Sequence, residues 1–263
     1  MTHTALPVAT AVFGPEAAVA TGHALVLGPV TPSWDDGAFF APVIEVLAGA
    51  GLRVTVADTL SLWDESVDSM AAFTDRWREL LPGFGPVDLL CGNALGGAVA
   101  QALLPEAGPA TAALLVSGPT RTDALLEARL GEIADLAASG RPGEALALLN
   151  RRVLPVSSAS ERDADPTPEA DPTPKADEAA GRRLAAGMRL LRGIDLSPAV
   201  LAHPGPLLQI VGDRSQLVTR RHTAAAPHHE VHVVPGTGMR PHFEQAAPVS
   251  ALIRAFLREK GLQ

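Results

Sequence analysis

Apolar positions along this chain fall into two alternating kinds of pattern. The first is the short continuous run: His23–Leu27, Leu52–Ala57, Val87–Cys91, Thr111–Ser117 and Leu207–Val211, with a last, less apolar strand at about Glu230–Val234. Runs of this length, closed by Gly, Pro or Asp, predict strands buried on both faces. The second is apolar spacing of three and four over longer stretches, which predicts helices at about Phe39–Ala50, Val67–Leu81, Leu95–Leu104 and Phe243–Lys260. Gly49 and Gly51 close the first of these, and Pro82-Gly83 the second. Residues 5–20 read as one or two short edge strands about Gly14-Pro15.

Strand and helix in regular alternation predict an α/β fold, with a mostly parallel central sheet flanked by helices. The alternation stops between Thr120 and Pro198, where only helical patterning remains: Ala124–Ser139, Glu144–Val153 and Ala179–Leu191. Residues 1–119 and 199–263 therefore form the core, and 120–198 an all-helical cap over the carboxyl ends of the strands, where open α/β sheets bind ligands. Within the cap, 164–177 is an imperfect Asp/Pro/Thr-rich duplication too poor in core-forming residues to pack, and is read as mobile.

Composition narrows the classes. A chain of 263 residues, 47% hydrophobic, is long enough to bury a full core. Its net charge of -8 argues against nucleic acid as a partner. Cys91 is the one cysteine, so no internal disulfide forms, which fits a reducing, cytoplasmic setting. No basic, uninterrupted apolar leader and no membrane span are read, so a membrane partner is not expected. Lysine occurs only at Lys175 and Lys260 amid many arginines and alanines, which hints at a GC-rich bacterial genome. A homodimer is allowed but nothing in the sequence requires one.

The chemistry centres on Leu89-Leu90-Cys91-Gly92-Asn93-Ala94-Leu95-Gly96-Gly97-Ala98. A buried strand, a tight turn and a helix start built from small residues have the layout of a nucleophile elbow, G-x-S-x-G, with Ala94 at the serine position. With Val211-Gly212-Asp213-Arg214-Ser215 and Pro235-Gly236-Thr237-Gly238-Met239-Arg240-Pro241-His242 it resembles the α/β-hydrolase superfamily, in its helical-cap form, over nearly the whole chain outside the cap. The resemblance implies a serine, an acid and a histidine at three positions, which here are Ala94, Ser215 and Met239. The family's His-Gly near the oxyanion hole is Gly28-Pro29. All these departures fall on the catalytic machinery, so the reading is a degenerate triad.

What the turn still offers is the N–H of Leu95, with the N–H of Val30 beyond Pro29, as an oxyanion hole. Asn93, Asp36 and His242 are the other candidates for catalysis. Gly28, Trp34, Ala94, Ser215 and Met239 are the candidates for contact with substrate. Against them stand structural roles: Trp34 as a loop anchor, Asp36 as a solvated carboxylate, Asn93 as a brace for the turn and His242 as a structural histidine. Trp63 and Met188 either line the cleft or pack the cap. Cys91 sits on the strand before the turn and reads as a core residue. His228, His229, Glu230 and His232 suggest a metal cluster, but a solvated strand end explains them, and the glycines of the elbow lack the lysine of a phosphate loop. No cofactor and no metal are expected.

The function expected from these residues is non-hydrolytic: a cyclase, lyase or isomerase, not an esterase, acting on a hydrophobic, polyketide-like small molecule of natural-product biosynthesis. The alternatives are a non-catalytic small-molecule binder and a pseudoenzyme that binds a protein partner.

Overall fold

A computed structural model describes residues 7–156 and 176–262. The repeat at 164–177 lies, up to residue 175, outside the described residues. The core is a seven-stranded sheet made of β1 (Thr10–Phe13), β2 (Gly22–Leu27), β3 (Leu52–Ala57), β4 (Leu89–Asn93), β5 (Ala112–Val116), β6 (Leu207–Gly212) and β7 (Glu230–Val234). Its order is β1-β3-β2-β4-β5-β6-β7, with β1 antiparallel to β3 and each other pair parallel. All positions of β4, β5 and β6 are buried, which is why these strands read as continuous apolar runs without alternation.

The order reverses at β2. The chain runs outward from β2 to β3, then crosses back to place β4 on the other side of β2. The loops leaving the carboxyl ends of β2 and β4 therefore diverge and leave a crevice between them. Leu27, at the end of β2, pairs with Gly92, two residues before Ala94. Chain direction alone thus brings the turn at Ala94 beside the loop at Val30.

Helices α1 (Ala41–Gly49) and α9 (Ala246–Glu259) cover one face of the sheet, through Val43, Leu47, Ile253 and Phe256. Helices α2 (Met70–Leu80) and α3 (Leu95–Ala102) cover the other, with Phe73, Trp77, Val99 and Leu103 in its core. Among the described residues, four α-helices join β5 to β6: α4 (Ala124–Ala138), α5 (Pro142–Val153), α6 (Glu178–Leu190) and α7 (Ser197–Ala202). The first three pack on one another and on the second face.

Two helix boundaries and one added helix differ from the sequence expectation. Helix α2 begins at Met70, not Val67, because the Ser69 side chain accepts from the Ala72 N–H and caps the helix there. The closing helix is broken into α8 (Pro241–Glu244) and α9, because Gln245 leaves helical geometry at φ -136°, ψ 57°. Helix α7, too short for periodicity to reveal, was not expected. Among the described residues no helix is long and apolar enough to cross a membrane.

Candidate functional site

The turn after β4 is built by exclusion. A Cβ on Gly92 would stand 2.4 Å from the Gly96 carbonyl oxygen, and one on Gly96 would stand 2.0 Å from that of Leu27. Only glycine lets the turn close so tightly against β2. Between them Ala94 is held at φ 48°, ψ -112°, a conformation that costs a non-glycine residue on the order of 1–3 kcal/mol. Such strain persists only where the surroundings impose it. Helix α3 starts at the next residue, so the Leu95 N–H is among the amides its own helix leaves unpaired.

Above the turn lies a chamber of about 430 Å³, between the strand ends and the cap. Its walls are mainly apolar: Val30, Phe39 and Pro119 from the core, Leu126, Leu130, Leu146, Leu149, Val153, Met188 and Leu191 from the cap, and Leu217, Val218 and Met239 from the loops after β6 and β7. Asn93, Ala94, Met239 and His242 lie in its inner lining. The exposed lining residues are Ala38, Asn150, Arg240 and Phe243, which places the opening between the loop after β2, helix α5 and the start of α8. A separate groove of mixed polarity runs between α6 and residues 63–68, lined by Trp63, Asp68, Arg182, Ala186 and Arg189 among others.

Of the residues singled out from sequence, Val30, Asn93, Ala94, Met188, Met239 and His242 meet in the chamber lining. Asn93 donates Nδ2–H to the Val116 carbonyl at 2.8 Å, which fixes the orientation of its amide and leaves Oδ1 without a partner among the described residues. Met239 is pinned by two loops: its N–H donates to the Val153 carbonyl, and its sulfur accepts from the Val218 N–H at 3.3 Å. His242 donates Nε2–H to the Phe39 carbonyl at 3.1 Å, so Nδ1 is the unprotonated nitrogen, and it is buried without a partner among the described residues. Burial, with Arg240 nearby, pushes the His242 pKa down to about 4, so the ring is neutral near pH 7.

The other candidates stand elsewhere. Leu95 sends its side chain into the core and faces the turn only through its backbone. Gly28 is closed over by the Phe39 ring, and its carbonyl accepts from the Thr59 hydroxyl. Trp34 packs on the α1 side of the sheet. Asp36 is exposed, at φ 54°, in a surface hollow on the far side of its loop. Ser215 is buried outside the lining, where its hydroxyl accepts from the Leu217 N–H at 3.3 Å. Cys91 faces α1 and α9, away from the chamber, and burial raises the pKa of its thiol. His228 and His229 both turn Nε2 toward the His203 carbonyl, at 3.1 Å each.

Sequence reasoning passed over the cap leucines and the latch that seats the cap. Leu126 and Leu130, and Leu146 and Leu149, were visible as helical stripes, but a stripe does not say whether it faces a core or a chamber. In the latch, Arg183 of α6 donates Nη2–H to Asp58 at 2.7 Å and Nε–H to the Thr31 carbonyl at 3.1 Å. One turn on, Gly187 lies so close to the loop after β2 that a Cβ there would stand 2.3 Å from a Val30 methyl.

A family model for the alpha/beta hydrolase family matches residues 13–252, from β1 into α9. The chain belongs to the alpha/beta hydrolase family. Among curated proteins nothing matches. Solved structures similar to this hydrolase-family chain include MGS-M2, an alpha/beta hydrolase enzyme from a Medee basin deep-sea metagenome library, at 11% identity and TM-score 0.74, covering 95% of this chain and 94% of that one. A thermophilic esterase from Thermogutta terrifontis is 20% identical, with TM-score 0.68 and coverage of 96% and 93%. An enol-lactonase from Burkholderia xenovorans is 15% identical, with TM-score 0.70 and coverage of 95% and 96%.

At these identities the likeness establishes the fold. It also corrects the functional expectation. The reading as a cyclase, lyase or isomerase that is not an esterase, with its alternatives of binder and pseudoenzyme, is overturned by neighbours named for ester and lactone hydrolysis. That reading took the alanine at position 94 as a change of chemistry, whereas ester hydrolysis requires only a polarised carbonyl and water.

Proposed function

We propose that this alpha/beta hydrolase-family protein hydrolyses activated acyl compounds, such as aryl esters, thioesters and enol lactones with an apolar acyl part, by direct attack of water. Positions 94, 215 and 239 are the vacated triad, and no acyl-enzyme forms. The observation that carries this reading is the strained turn at Ala94, kept in elbow geometry at the floor of an apolar chamber. The names of the esterase and enol-lactonase neighbours support the reaction class.

The substrate carbonyl lies over Ala94, and its oxygen accepts from the N–H groups of Leu95 and Val30. Water held by Asn93 Oδ1 adds to the carbonyl carbon. The tetrahedral intermediate then expels the leaving oxygen or sulfur, which takes up the proton that the water gives up. Hydrolases stripped of their triad keep about 10³- to 10⁴-fold acceleration over water from the oxyanion hole and binding alone. An acceleration of that size is enough for an activated acyl group and too little for an alkyl ester or amide, which sets the substrate class.

The test is 4-nitrophenyl octanoate hydrolysis, followed from mixing. The expected trace is linear without a burst, about 10³-fold above buffer, and insensitive to a serine-directed phosphonate. Ala94→Phe, which fills the floor, should abolish it. A rate equal to buffer alone, or a burst with stoichiometric phosphonate labelling, would overturn the proposal.

A further inference from the structure

We propose that Arg240 is a substrate-recognition residue, and that the preferred acyl chain carries a carboxylate at the end remote from the reacting carbonyl. The inference rests on the chamber reading above and deepens it. Among the described residues, two with ordinarily charged heads line the chamber, Asp35 and Arg240. The Asp35 carboxylate is turned into its own loop, where its oxygens accept from the Gly37 and Phe39 N–H groups at 3.1 and 2.9 Å. Arg240 has no ion pair and no side-chain hydrogen bond among the described residues.

Its nearest acid in sequence is already engaged. Glu244 spends one carboxylate oxygen on the Gly238 N–H, at 2.5 Å, and the other on the Arg240 N–H, at 3.2 Å. Those two bonds hold the loop, so Glu244 does not pair with the Arg240 guanidinium. Arg240 is exposed at the opening, while Asn93, Met239 and His242 are buried deeper. Arg240 and buried His242 both line the chamber.

An apolar chamber with Arg240 at its mouth and carbonyl-binding groups on its floor fits an extended ligand. The chain lies in the middle, the carbonyl at the floor and an anion at the opening. The guanidinium fork matches a carboxylate through two parallel N–H···O bonds. One guanidinium neutralises a monoanion but leaves a phosphate dianion with an uncompensated charge against the apolar walls, so the anion proposed is a carboxylate.

Binding tests this without any need for turnover. Displacement of the neutral dye Nile red would be measured for octanamide, for the mono-amide of octanedioic acid, which carries a free carboxylate, and for octyl phosphate. In wild type the carboxylate should bind tightest. In Arg240→Met the ratio of octanamide to mono-amide dissociation constants should fall about 10-fold, and Arg240→Lys should restore part of it. A ratio unchanged by Arg240→Met overturns the assignment, as does failure of every ligand to displace the dye. Octyl phosphate binding tighter than the mono-amide overturns the carboxylate. A ratio that moves in a protein without esterase activity would sink the hydrolytic reading while leaving Arg240 in its role.

Discussion

Replacing Arg183 with methionine tests whether the cap latch holds the oxyanion loop as well as the cap. The Asp58 side chain is 5% exposed and Arg183 22% exposed, and they meet at 2.7 Å. Removing one partner of a fully buried pair costs about 3–5 kcal/mol, because the other charge stays buried. Here Asp58 keeps its bonds from the Leu60 N–H and the Ser61 hydroxyl, and water reaches the arginine side, so we expect about 2 kcal/mol. For a domain of this length that lowers Tm by roughly 4–8 °C. Urea unfolding of wild type, Arg183→Met, Asp58→Asn and the double variant closes the cycle. The double variant should lose about 1–2 kcal/mol less than the sum of the singles, since the neutral amide introduced by Asp58→Asn needs no cation. The Thr31 carbonyl also loses its arginine donor, and Val30 sits beside it, so esterase kcat should fall along with stability. Additive losses, or a single loss under about 0.5 kcal/mol, would refute the latch. A destabilised Arg183→Met with unchanged kcat below its melting range would separate the cap from the oxyanion loop.

Two further outcomes are expected. His242 has a pKa of about 4 when folded against 6.5 when free, so the unfolded chain binds that proton first as pH falls. Its contribution is therefore complete above pH 6.5 and declines toward pH 4 by about 3 kcal/mol. The same sign holds for His203, His222 and His229, each lowered chiefly by burial. Urea unfolding at pH 7.5 and 4.5 should show this loss, and an equal pH dependence in His242→Gln would exclude that residue as a source. Second, the triple variant Ala94→Ser, Ser215→Asp, Met239→His should acquire a burst with 4-nitrophenyl octanoate, phosphonate labelling and a rate at least about 10²-fold above wild type. A folded triple variant without a burst would mean that the three positions do not converge.

How much of this was legible in advance depends on the range of the interaction that wrote it. The buried strands were legible because a strand covered on both faces must be apolar along its length, and Leu89–Cys91 and Leu207–Val211 are. The elbow was legible because its geometry admits only glycine at positions 92 and 96, so backbone contacts appear as a sequence spacing. Local signals failed where short-range chemistry overrode periodicity, as at the Ser69 cap and the break at Gln245.

The chamber belongs to the tertiary structure. Asp36 and Trp34 are neighbours of the oxyanion loop in sequence, yet the positive φ at Asp36 and the packing of Trp34 toward α1 turn both away from the chamber. Leu130, Leu149 and Met188 reach it from three cap helices whose stripes look like ordinary core. Arg183 and Asp58 are 125 residues apart and meet only because α6 docks over the end of β3. Residue order records which backbone conformations each position permits. Which side chains share a cavity follows from the reversal of strand order at β2 and the seating of the cap, and no local pattern carries that information.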